Sequence, residues 1–139
     1  MYLNHSQIKR LSKKLKGNIP EILFAYLFGS SVSGTIKNES DIDLAVYLAP
    51  GKKTFDTIAR IFGVMEDQFP SQQIDIVLLN DSGIIISMEV LKGKLLFVRE
   101  DAWDIYSGYY SLTCRNFEDH MIWIKKQLKY RGYEVQWSD

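Results

Sequence analysis

Two carboxylates, Asp41 and Asp43, follow a Gly29-Ser30 pair after a gap of ten residues, and this combination sets the chemistry open to the chain. Asp41-Ile42-Asp43 lies in an alternating run from Ser40 to Leu48, and side chains repeat every second residue along a strand. The two acids therefore share one face, while Ile42, Leu44 and Val46 take the other. Paired carboxylates repel each other, so the arrangement makes sense chiefly around a divalent cation. Upstream, the apolar and aromatic run Ile22 to Phe28 has strand length and stops at Gly29. Ser30, Ser31 and Ser33 supply hydroxyls where a short helix can begin, and free N–H groups at such a start favour an anion. Asp75 is a third acid in a strand-like setting, inside Gln73 to Leu79. An acid there costs stability unless it is paired, metal-bound or at a wet strand end. If its strand lies beside that of Asp41 and Asp43, three carboxylates converge. Mg²⁺ takes such oxygen ligands and keeps room for phosphate oxygens.

These residues resemble the signature of the DNA polymerase β-like nucleotidyltransferases. Gly29-Ser30, the ten-residue gap and Asp41-x-Asp43 are similar to the family's GS-x10-DxD pattern, and Asp75 is similar to its third acid. The short length and flanking pattern look most like the MNT-type minimal nucleotidyltransferases, commonly encoded beside a HEPN-domain toxin as its antitoxin. The resemblance covers residues 20 to 99 or so. It implies an α/β (α+β) nucleotidyltransferase fold. It also implies that Asp41, Asp43 and Asp75 are catalytic and hold two Mg²⁺ ions, that Gly29 and Ser30 bind the triphosphate, and that ATP is the nucleotide. The implied reaction moves AMP onto a hydroxyl of a partner protein, a HEPN toxin, and releases pyrophosphate. Relatives acting on primer, tRNA or antibiotic carry further domains, whereas this chain has at most its C-terminal helix to spare. The acceptor should therefore bring its own binding surface. Two other readings stand beside this one: an antitoxin that neutralises its toxin by binding alone, and a small-molecule nucleotidyltransferase completed by a second subunit. The intact acid triad weighs against the first, since binding would not require it.

With 139 residues, the chain can build one substantial core and is too short for two ordinary domains. We expect a single domain over 1–139, with a core near 20–99 and a C-terminal helical segment near 101–131. Seventeen basic residues balance 17 acidic ones, so no general nucleic-acid surface is expected. Lys9, Arg10, Lys13, Lys14 and Lys16, and later Lys125, Lys126, Lys129 and Arg131, read as solvated helix faces. The lone Cys114 excludes an internal disulfide and a Cys-rich zinc site. Neither a signal-peptide core nor an apolar run of membrane-spanning length is present in the sequence, so a cytoplasmic protein is expected. His5 and His120 lack metal-ligand companions and read as surface histidines. Arg115 to His120 spells the R-x4-H motif of HEPN ribonucleases, a coincidence if only the tail is long helix. Lys52, Lys53, Lys92 and Lys94 are candidates to reach nucleotide phosphates.

The elements that must position these groups alternate along the chain. Residues 5–17 read as an amphipathic helix with Ile8, Leu11 and Leu15 at helical spacing, ended by Gly17-Asn18. After the two strands, Ala49-Pro50-Gly51 breaks the chain. Residues 53–68 predict a second helix burying Phe55, Ile58, Ile61, Phe62 and Met65, closed by Pro70. Residues 82–91 suit a short helix (Ile84 to Leu91), although three successive isoleucines equally suit a strand; a strand at 95–98 follows. From Asp101 the pattern is helical, with Gly108 a possible division. The aromatic stripe Trp103, Tyr106, Tyr109, Tyr110 and Trp123 reads first as packing against the sheet and second as a partner surface. A mixed sheet of about four strands with packed helices and a C-terminal helical extension follows.

Overall fold

The computed structural model describes residues 3–29 and 41–132. Ser30, Ser31, Ser33 and Ser40 lie outside the described residues.

The first helix, α1 (His5–Asn18), starts at a reciprocal cap: Gln7 N donates to Asn4 Oδ1 at 2.9 Å and Asn4 N donates to Gln7 Oε1 at 3.0 Å. Its Leu11 and Leu15 are buried. Strand β1 (Ile22–Phe28) covers the span expected from sequence, and β2 (Ile42–Leu48) begins one residue after Asp41. Thr54 caps α2 (Phe55–Gln68) by accepting from Thr57 N at 3.2 Å. Ile61 and Met65 are buried there as expected, but Phe55 is 88 % exposed. Phe55 is the first helical residue, so its periodicity matches the buried stripe while its position lies beyond the sheet's cover. Strand β3 (Ile74–Leu78), α3 (Ile84–Leu91) and β4 (Lys94–Val98) follow. The isoleucine run is therefore helix; Ser87 and Val90 are its buried positions, and Ile84, Ile85 and Ile86 are exposed. A single 3₁₀ turn (Glu100–Ala102) leads into α4 (Trp103–Tyr130). This last helix runs unbroken through Gly108; one helical glycine costs about 1 kcal/mol, which the surrounding turns absorb.

The sheet order is β3-β2-β1-β4, with β2 and β3 parallel and the other pairs antiparallel. Strand alternation divides the side chains between two cores. Ile42, Leu44, Val46 and Leu48 of β2 join Leu11, Leu15, Ile61 and Met65 under α1 and α2. Phe24, Tyr26 and Ala45 join Val90, Val98, Tyr106 and Tyr109 under α3 and α4. A register shift between Ile22 and Phe24 sets which face each later β1 residue takes. Arg99, just past β4, ties the layers together. It donates to Ile22 O (2.6 Å), Lys16 O (2.9 Å) and Ile19 O (2.7 Å), satisfying carbonyls at and beyond the α1 terminus.

Candidate active site

Alternation along β2 puts Asp43 on the α3/α4 face, opposite the aliphatic residues that fill the other core. Its register partners are Asp75 on β3 and Phe28 on β1. Paired residues on neighbouring strands stand about 5 Å apart, so the two carboxylates are side by side. Asp75 is exposed, at a wet strand end, which removes the cost that an acid in an apolar strand would carry. Asp43 is half-buried, and Asp41, just ahead of the strand, is half-buried as well. Burial first, then the charge of Asp75, then that of Asp41, pushes the Asp43 carboxyl up from 3.8 to about 6. The site therefore gathers negative charge, and among the described residues the acidic neighbours of Asp43 add to it.

Gly29 closes one side of this site. Its φ of +78° is a left-handed conformation that L side chains adopt only with strain. A Cβ at that position would collide with Asp43 Oδ2 and lie 3.2 Å from Asp43 Cγ. Glycine is thus required twice, for the turn and for its approach to the acid. Gly93 makes a second close approach: a Cβ there would meet Leu27 O and lie 2.9 Å from the Phe28 Cβ. The start of β4 is in this way pressed against the end of β1.

Among the described residues, no three His, Cys, Asp or Glu side chains are gathered tightly enough to enclose an ion unaided. The donor set nevertheless fits Mg²⁺, which commonly takes one or two carboxylates and fills its remaining positions with water and substrate phosphate. The charge that Asp75 and Asp41 impose on the Asp43 carboxyl is the observation that supports this fit.

Of the four lysines considered for phosphate contact, Lys52 and Lys53 follow the far end of β2, and Lys53 pairs with Asp81. Lys94 is registered with Leu27, and Lys92 lies near Glu89 at 3.7 Å, so these two flank Gly93 at the Gly29 end of the sheet. His120 stacks near Trp123 with ring centroids 6.3 Å apart, and Arg115 is exposed on the same helix. Cys114 is a free, partly buried helix residue.

Sequence reasoning missed the aromatic wall beside the acids. Tyr26 is registered with Ala45, one strand step from Asp43 on the same face. That diagonal spacing is about 7–8 Å, within reach of an aromatic ring. Tyr26 is 3 % exposed, and its hydroxyl shares a 2.5 Å hydrogen bond with that of Tyr106. Burial and that bond hold the Tyr26 hydroxyl well above its usual range, so it stays protonated. The alternation of Phe24, Tyr26 and Phe28 was a readable signal for the face; the Tyr106 partner was not. Tyr106 and Tyr109 do pack on the sheet, whereas Trp103, Tyr110 and Trp123 are exposed.

The sequence matches a family model described as polymerase beta, nucleotidyltransferase, over residues 9–102. A curated relative, the protein adenylyltransferase MntA of Shewanella oneidensis, is 36 % identical over 98 residues, 68 % of this chain and 66 % of that protein. The match thus spans just under two thirds of that relative's length. A crystal structure described as a toxin–antitoxin with AMP-PNP superposes with a TM-score of 0.66 at 24 % identity, covering 93 % of this chain and 98 % of that one. The MNT antitoxin complexed with the tri-AMPylated HEPN toxin of Shewanella oneidensis is a further structural match. Its TM-score is 0.56 at 23 % identity, over 91 % of this chain and 99 % of the matched chain. At such identities the structural likeness speaks to the fold.

Proposed function

Because the chain belongs to the polymerase beta nucleotidyltransferase family, we propose that it moves AMP from ATP onto a hydroxyl of a partner protein, a HEPN-domain toxin, and so acts as an antitoxin. The observation that carries this reading is the registered pair of Asp43 and Asp75 beside the glycine turn at Gly29. Support for the acceptor comes from the name of the 36 %-identical relative, a protein adenylyltransferase, and from the tri-AMPylated toxin of the structural relative. Support for the nucleotide comes from the toxin–antitoxin structure with AMP-PNP.

In this reading, Asp41, Asp43 and Asp75 hold Mg²⁺. When bound, Mg²⁺ supplies charge neutralisation at the triphosphate and at the phosphorus under attack. Gly29 lets the backbone come close to the triphosphate, and the Ser30 hydroxyl takes a departing phosphate oxygen. The acceptor oxygen bonds to the α-phosphorus, the α-phosphorus bond to the bridging oxygen breaks, and pyrophosphate departs. Asp75, exposed where an acceptor must arrive, takes the hydroxyl proton. Residues near 20–99 form the catalytic core of a single domain, and α4 faces the partner. Trp103, Ile105, Leu112, Ile122 and Trp123 are all at least 41 % exposed on that helix, an apolar surface suited to a protein partner. Among the described residues no helix is long and apolar enough to cross a membrane, in keeping with a cytoplasmic setting.

Incubation with each radiolabelled nucleoside triphosphate, Mg²⁺ and the product of the neighbouring gene tests the reading. Label from ATP should appear on the partner, and the Asp41→Asn/Asp43→Asn double variant should transfer none. Wild-type transfer by that folded double variant would overturn the assignment of the acids.

A further inference from the structure

A cleft of about 280 Å³ lies on the same sheet face as the acids, toward the opposite end of β2 and between α3 and α4. Tyr47, which helps line it, is four residues beyond Asp43, so the two places are separated by about 13 Å along the strand. Leu79, Ile84 and Leu112 give it apolar walls. The Tyr47 ring stacks on Phe24 at 4.9 Å and meets the Tyr109 edge at 5.4 Å, which holds an aromatic surface in place.

The polar groups fall into two sets. Tyr109 donates to Ser87 Oγ at 2.9 Å, Ser87 and Ser82 share a 2.6 Å bond, and Ser82 reaches Leu79 O at 3.3 Å. Asn80 is also committed, bonding both Leu48 backbone groups at 2.9 Å. Thr113 and Asn116, by contrast, make no hydrogen bond among the described residues, although Thr113 is only 7 % exposed. Among the described residues, no charged side chain lines the cleft. An anion or cation entering it would lose hydration without a counter-charge. The volume is just below the range of about 300–1,000 Å³ usual for small-molecule sites, which suits one or two rings.

We propose that this cleft is a second ligand site that takes an uncharged heteroaromatic compound of the nucleoside class, bound independently of the acid cluster. The base packs between the tyrosines and the aliphatic walls, and Thr113 and Asn116 bond its polar edge. Nucleosides lack the phosphates that the acid site would be needed to hold, so they report on the cleft alone.

The test is calorimetric titration of adenosine, guanosine, cytidine and uridine into the full chain. At least one should bind. Thr113→Val and Asn116→Ala should each weaken it about 3–10-fold, the usual worth of one neutral hydrogen bond. Leu112→Trp, a substitution at a 48 %-exposed position, should block the cleft without disturbing the fold. Asp43→Asn should leave nucleoside affinity unchanged, which separates this proposal from the transferase reading. Absence of binding by all four nucleosides at about 10 mM, far above functional affinities, would overturn it. So would binding that survives Leu112→Trp but disappears in Asp43→Asn.

Discussion

Replacing Asp43 by Asn should stabilise the metal-free protein near neutral pH, because the wild-type carboxylate is held there against burial and two neighbouring acids. The folded state raises the Asp43 carboxyl from 3.8 to about 6, which at about 1.36 kcal/mol per tenfold change corresponds to an upper limit of about 3 kcal/mol. The side chain is only half-buried, so solvent screening reduces this to about 1 kcal/mol. The sign follows from proton linkage. A carboxyl whose folded value is raised binds its proton more tightly in the native state. The Asp43 contribution to wild-type stability is thus greatest below about pH 3.8 and is lost as pH rises through about 6. Asn cannot ionise and lacks that loss. Thermal melts in EDTA at pH 7.5 should place the Asn variant about 3–4 °C higher in Tm, with the advantage shrinking steadily between pH 6 and pH 4. Added Mg²⁺ should raise wild-type Tm and leave the variant unmoved. A less stable Asn variant at pH 7.5, or an advantage of the same size at every pH, would refute the electrostatic argument.

Gly29→Ala should lower transfer at least tenfold and destabilise the fold by about 1–2 kcal/mol, read by labelled-ATP assay and urea melts, because φ is +78° and the new methyl displaces Asp43. Arg99→Met should cost about 2 kcal/mol in the same melts while sparing transfer in the folded fraction, since it removes a donor from the carbonyls of Lys16 and Ile22 and leaves Ile19 O only its bond from Ile22 N, far from the acids. A double-mutant cycle on Tyr26→Phe and Tyr106→Phe should give a coupling energy of about 1 kcal/mol, the net worth of their shared bond. A coupling of zero would mean that the two hydroxyls are satisfied elsewhere.

Patterns of local period were legible in the sequence, and relations across the chain were not. The span of β1 and the facing of Ile42, Leu44 and Val46 followed from alternation alone. Ile84–Ile86 carry no period, so helix and strand stood equal until packing of Ser87 and Val90 selected the helix. Phe55 has the right spacing and the wrong place, a first helical position that no strand covers. Gly108 looked like a break because glycine costs helix stability locally, but the long helix is held by Tyr106, Tyr109 and Thr113 on either side. At the site, the parity of Asp43 could be read, whereas its neighbour Asp75 depended on the parallel β2–β3 register. Tyr26 and Tyr106 meet across 80 residues of sequence, a separation that no periodic signal reaches. The cleft at Thr113 and Asn116 has the same origin, since three elements distant in sequence create it.

Intact-mass spectrometry of the partner tests catalytic transfer to a protein. A small molar fraction of this protein, with ATP and Mg²⁺, is mixed with excess HEPN partner, which is then separated and weighed. Most of the partner should gain one or more AMP units and stay inactive after separation, because a phosphodiester does not dissociate on dilution. Neutralisation only at matching stoichiometry, with no added mass and with Asp41 and Asp43 both replaced, would contradict it and leave a protein that acts by binding alone.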